Sequence, residues 1–139
     1  GPPGASPAMA REYRERSPIF WLQNVGDLRI DLNAGVMDGK TGSVPIRHTI
    51  EAFNVIAESA AHPTVTESEI TQLIKNEKLT NPLPTDLAND PDYEREIRLR
   101  RIAGNARVTI FDGGHEALPA AACAWLERQT RAAPPRSDE

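Results

Sequence analysis

The chain has 139 residues, is 39% hydrophobic and 26% charged, and so has the composition of a folded globular chain rather than a collagenous or fully disordered one. No apolar run approaches the roughly 20 residues of a membrane-spanning helix, and sixteen Lys and Arg against twenty Asp and Glu, a net charge of −4, argue against a general nucleic-acid binder. The single cysteine, Cys123, excludes a disulfide framework.

Residues 1–10 are rich in Pro and Gly and read as a flexible lead. Ala10 to Arg16 is a short polar helical candidate, stopped by Ser17-Pro18 because the residue before proline avoids the helical region. Leu28 to Leu32 alternates apolar and polar residues, as a strand does. A turning loop from Asn33 to Ser43 holds Gly35, Gly39 and Gly42. Pro45 suits a helix's first turn, and Ile46, Ile50, Phe53 and Ala57 mark one face of a helix ending near Ala60. Thr66 to Glu69 fits a capping box, continued by Ile70, Leu73 and Ile74 as an amphipathic helix. Asn81 to Pro91 reads as an irregular loop, and Tyr93 to Ala103 as a charged helix carrying Ile97 and Leu99. Ala106 to Phe111 is a second strand. After Gly113-Gly114-His115 comes a last helix with Leu118, Ala122, Trp125 and Leu126 as its apolar stripe. Residues 131–139, rich in Ala, Pro and charge, read as a disordered tail.

Strand, helix, insert, strand and helix make a parallel α/β pattern with only two clear strands, too few for a stable sheet alone. Two Trp, two Tyr and three Phe are also few for a self-sufficient core of this length. In open α/β sheets, ligands and catalytic groups gather beyond the carboxyl ends of strands. Asp38 follows the first strand and His115 the second. Together they suit an acid holding one imidazole nitrogen while the other acts as base; taken singly, Asp38 is a turn residue and His115 a loop residue. Asp112, three residues before His115, is a weaker candidate for the acid.

Other motifs fall short. Gly39-Lys40-Thr41 ends like a phosphate-binding loop, but the required earlier Gly position is Ala34. His115-Glu116 resembles half a zinc-protease helix, but its second His position is Pro119. His48 and His62 have no ligand-spaced partner. Arg95, Arg98, Arg100, Arg101 and Arg107 lack interleaved aromatics for stacking bases and read as a solvated or interdomain face. Cys123 and Trp125 read as packed apolar residues. No metal or organic cofactor is implied.

The order Tyr13, Arg16-Ser17-Pro18, Leu28 to Asp38, Ser43-Val44-Pro45, a helix, and Val108 to His115 resembles the C-terminal part of an α/β-hydrolase. More narrowly it is similar to the prolyl oligopeptidase-like serine hydrolases, both peptidases and esterases. Gly35 to Asp38 match that family's acid turn, Val44-Pro45 its next helix start, and Gly114-His115 its histidine turn. The resemblance implies a catalytic-domain segment over residues 11–130, incomplete on its own, with Asp38 as triad acid and His115 as triad base. It departs from the family in the extra Lys40-Thr41-Gly42, in Ala34 where a His is usual, and in an insertion over about residues 63–105.

The family's nucleophile lies in Gly-x-Ser-x-Gly, ahead of the acid in the chain. None of Ser6, Ser17, Ser43, Ser59, Ser68 or Ser137 has Gly two places before and two after. The expectation is therefore a serine hydrolase acting on an ester or peptide carbonyl, to which this chain supplies acid and base. The nucleophile comes from a missing N-terminal part of the same domain, and the chain alone is inactive. Its partners are that part and the substrate, not nucleic acid or membrane. The alternatives are a non-catalytic α/β-hydrolase-like binding or interaction module and a small stand-alone α/β domain.

Overall fold

The computed structural model describes Pro2 and residues 4–129. Its first helix, α1 (Pro7–Arg16), begins three residues earlier than the expected Ala10, because Ser6 caps it by accepting from the Met9 amide at 3.2 Å. Residues 7–10 of the expected lead are therefore helical. Ser17 takes an extended conformation before Pro18 and ends α1, which buries none of its residues.

Strand β1 (Ile30–Gly35) carries the alternating pattern, starting two residues later than read from sequence; Leu28 is exposed. Helix α2 (Ile46–Ser59) follows the expected face, burying Ile46, Ile50, Phe53 and Ala57, with Ile56 beside them. Helix α3 (Glu67–Asn76) opens with both capping-box bonds: Glu69 N–H donates to Thr66 Oγ1 at 3.3 Å, and Thr66 N–H to Glu69 Oε2 at 2.8 Å. A 3-10 turn at Pro84–Leu87 interrupts the following loop.

The segment from Tyr93 to Ala103 is not the expected helix. Ile97–Ala103 forms a strand, β2, paired antiparallel with β3 (Ala106–Phe111) through a hairpin turn at Gly104-Asn105. A helix would set Ile97 and Leu99 about 200° apart, with one in water. The strand buries both, because a register shift between them turns Ile97 toward Phe111 and Leu99 toward Ile110. The result is a three-stranded mixed sheet in the order β1-β3-β2, with β1 and β3 parallel, Ile30 opposite Ala106 and Gly35 opposite Phe111. With four α-helices among the described residues, the structure is mixed α/β. Residues 63–105 hold α3, the 3-10 turn and β2.

One face of this sheet is apolar. Ala34, Leu99, Ala103, Ala106, Val108 and Ile110 share a cluster with the buried face of α2 and with Ile70 and Leu73 of α3. The other face is polar except at one end, where Ile97 and Phe111 form a second apolar cluster. Arg107 grips Asp31 with two bonds of 2.7 and 2.8 Å. Arg100 bonds Asp90 at 2.6 Å and Thr109 at 3.1 Å, and the Tyr93 ring lies 4.7 Å from its guanidinium. At the edge of β2, Arg101 binds Asp86 at 2.5 and 2.8 Å and Glu69 at 2.6 Å. Arg100, Arg101 and Arg107 are thus inward side chains paired within this chain and not the expected solvated or interdomain face. Pairing of β3 with β1 carries Arg107 to Asp31, and formation of β2 sets Arg100 and Arg101 against carboxylates 10 and 15 positions before them. Arg95 and Arg98 are the more exposed members, at 49% and 24%.

Helix α4 (Pro119–Glu127) also differs from expectation. It packs through Ala121 against Tyr93, Ile97 and Phe111. Ala122 and Leu126 of the expected stripe are exposed and Trp125 is half-buried. Cys123, expected to be packed, is exposed as well. Among the described residues only Ala121, in the helix's first turn, is buried against the sheet, which leaves the later apolar residues exposed or half-buried. The expected tail, residues 131–139, lies outside the described residues. Among the described residues no helix is long and apolar enough to cross a membrane.

Candidate active site

Strands β1 and β3 run parallel and end together, Gly35 beside Phe111, so the loops that follow leave the sheet at one place. Pairing continues past both ends: Val36 N–H donates to Phe111 O at 2.8 Å and Met37 N–H to Gly113 O at 2.9 Å. This approach needs glycine. A Cβ on Gly35 would stand 2.2 Å from Gly114 O, and one on Gly42 would stand 2.4 Å from His115 Cβ and 2.6 Å from Asp38 Oδ1. The glycine-rich loop after β1 thus folds directly onto the turn after β3.

That contact joins Asp38 and His115, 77 positions apart in the chain, with His115 Nδ1 and Asp38 Oδ2 at 2.9 Å. The Asp38 carboxylate is only 8% exposed. Its Oδ1 accepts from the amides of Gly39 at 2.9 Å and Val44 at 3.3 Å. Burial pushes the Asp38 carboxyl up, but hydrogen bonds from His115 and the Val44 and Gly39 amides, with the imidazole's charge, hold it below the ordinary aspartate range. An ionised carboxylate only accepts, so the proton of this bond sits on Nδ1. In the neutral ring Nε2 keeps its lone pair, and it makes no hydrogen bond among the described residues. The ring is 58% exposed. It borders an open groove of about 320 Å³, with Asn33, Val44, Thr49 and Glu116 among its walls. A larger apolar cavity of about 410 Å³, between Pro63, Leu83, Ala88 and Ile102, contains neither Asp38 nor His115.

The remaining candidates lie elsewhere. Asp112 pairs with Arg98 at 3.1 Å, not with His115. Lys40, from the failed phosphate-loop match, pairs with Glu77 at 2.9 Å. No serine hydroxyl bonds His115 among the described residues. Ser6 caps α1, Ser59 donates to Ile56 O at 2.8 Å, and Ser68 accepts from Gln72 at 3.3 Å, while Ser137 is outside the described residues. Among the described residues no group of three or more His, Cys, Asp or Glu is placed to hold a metal ion.

Sequence reasoning did not anticipate the groove walls Asn33, Thr49 and Glu116, nor Arg95, which reaches Glu116 at 3.3 Å. The signal for Arg95 was the Gly104-Asn105 pair between two alternating runs, a hairpin signature that places the residues before β2 beside the end of β3. The arrangement can take a proton at Nε2 and stabilise the resulting imidazolium through a carboxylate. No protein-family model, curated protein or solved structure matches the chain.

Proposed function

We propose that this chain supplies the acid and the base of a serine-type acyl-transfer hydrolase, in the manner of the C-terminal part of a prolyl oligopeptidase-like α/β-hydrolase. The observation that carries the reading is the 2.9 Å contact between Asp38 and His115 Nδ1 at the carboxyl ends of two parallel, adjacent strands. In the proposed reaction Nε2 takes the proton of a serine hydroxyl furnished by a segment outside this sequence. That oxygen attacks an ester or peptide carbonyl. Asp38 keeps the Nδ1–H tautomer and stabilises the imidazolium, which then protonates the leaving group; water completes the cycle by hydrolysing the acyl-enzyme. Nothing in these steps calls on a cofactor.

In the complete enzyme Asp38→Asn lowers turnover about 10⁴-fold, because the neutral amide selects the wrong tautomer. His115→Ala abolishes labelling by a fluorophosphonate probe. The isolated chain stays unlabelled. Full turnover in Asp38→Asn, or labelling of any serine on this chain alone, sinks the proposal. The exposure of His115, with no hydroxyl at Nε2 among the described residues, favours one second reading, a non-catalytic binding module. In that case both substitutions leave function intact.

A further inference from the structure

The histidine turn is held from two sides. On one side the loop after β1 fixes it, through Met37 N–H to Gly113 O at 2.9 Å and through Asp38. On the other stands the segment leading into β2. There Asp112 N–H donates to Glu96 O at 2.7 Å, and Arg98 pairs with Asp112 at 3.1 Å. Arg95 pairs with Glu116 at 3.3 Å.

Glu116 is the link between this segment and His115. Its amide bonds Gly114 O at 3.0 Å, and its Oε1 lies 3.4 Å from the Gly114 amide. The same oxygen occupies the space beside Gly113, where a Cβ would stand 2.5 Å from it. The carboxylate therefore closes the turn that presents the imidazole, and one of its oxygens is tied to Arg95. A turn built on Gly113 and Gly114 has little intrinsic stiffness, since glycine leaves the backbone many conformations. The ring it carries is mostly exposed and has one hydrogen-bond partner among the described residues. Its orientation thus depends on what restrains the backbone beneath it.

We propose that Glu116 is a positioning residue for His115 and that Arg95 holds it in place. The segment before β2 thereby stiffens the histidine turn and keeps Nδ1 on Asp38. This inference rests on the reading of Asp38 and His115 as an acid–base pair, and acts through the backbone rather than on substrate.

The ¹⁵N shifts of the His115 ring test it in this chain, without any activity assay. In the neutral ring those shifts report which nitrogen carries the proton; assignment against His48 and His62 uses His115→Ala. The native chain is expected to show the Nδ1–H form, and Asp38→Asn to lose it. Glu116→Ala is expected to shift the ring toward the Nε2–H form, and Arg95→Ala to shift it the same way by less. Glu116→Gln, which keeps an oxygen to accept from Gly114, is expected to retain the native tautomer and guards against a folding defect in the alanine variant. An unchanged tautomer in Glu116→Ala, with Asp38→Asn still losing it, overturns this inference and leaves the acid–base pair standing. A shift in Glu116→Ala but none in Arg95→Ala overturns the arginine's part. A native chain lacking the Nδ1–H form overturns both the inference and the pair.

Discussion

On one face of the sheet, Val108 and Ile110 share an apolar cluster with Ile50 and Phe53 of α2. On the other, neighbouring positions of the same strands carry Asp31, Arg107, Thr109 and Arg100 under the ring of Tyr93. Apolar burial is non-directional, so the first face tolerates small shifts as long as volume is filled. The second is directional: Arg107 meets Asp31 only if β1 and β3 pair in this register. A one-residue slip would turn those charges into the apolar cluster. The two faces of one strand thus do different things. One supplies driving force and the other restricts the pairing on which Asp38 and His115 depend.

Substitutions on each face separate the roles. Phe53→Ala is expected to cost about 3–5 kcal/mol, as transfer energy plus a cavity, measured by denaturant unfolding. Phe53 is fully buried, and no companion change at a neighbouring charge offsets that loss. Asp31→Ala is expected to cost a comparable ~3–5 kcal/mol for the opposite reason, since it strands the Arg107 guanidinium, 15% exposed, without its partner. Here a second change does help. Asp31→Leu with Arg107→Met is expected to recover most of the stability, because no charge is left unpaired. A double variant as unstable as Asp31→Ala alone would show that the ion pair contributes net stability and would erase the contrast.

Tyr93→Phe is a smaller probe of the polar face. It removes the hydroxyl that donates to Asn33 but keeps the ring over Arg100, and is expected to cost about 1 kcal/mol. A cost of several kcal/mol would mean that the hydroxyl, not the ring, organises this face.

Acid gives the mildest test. Burial raises the carboxyls of Asp90 and Glu69, but bonds from Arg100 and the Asp92 amide to the first, and from Thr66 and Arg101 to the second, bring both below their ordinary ranges. Asp38 behaves likewise. A carboxyl depressed in the folded state stabilises it above the unfolded pKa, and this contribution is lost as pH falls through the folded pKa. Stability is therefore expected to hold from neutrality down to the ordinary carboxylate range and to fall below it. Asp90→Asn, which removes one of these groups, is expected to make that fall shallower in a pH series of unfolding curves. An unchanged slope would remove Asp90 from the account.

Local signals were legible wherever the decisive contacts were close in the chain. The face Ile46, Ile50, Phe53 and Ala57, the Thr66–Glu69 cap and the Ser17-Pro18 stop all act within a few turns, so spacing and residue type are enough. Strand β2 was misread, although the Gly104-Asn105 turn after it was a readable signal. The adjacent Arg100 and Arg101 break its period-2 pattern, and its arginines resemble a solvated helix face until their partners are known. Those partners lie 10 positions away for Arg100 and 15 for Arg101, and the partner of Arg107 on β3 lies 76 positions away. Cys123 and Leu126 were misread for the converse reason: apolar residues on one helix face do not specify which surface comes to meet them.

The candidate site divides in the same way. Residue type and position alone placed Asp38 and His115 after two strands, because glycine-rich turns behind alternating segments mark strand ends without reference to the rest of the chain. That Nδ1 faces Asp38, that Oδ1 is taken by two backbone amides, and that Glu116 and Arg95 stand behind the turn were decided by tertiary structure. Each of these depends on the parallel register of β1 with β3 and on the hairpin that brings β2 alongside. Register is a collective outcome of both sheet faces, and no short window of sequence contains it.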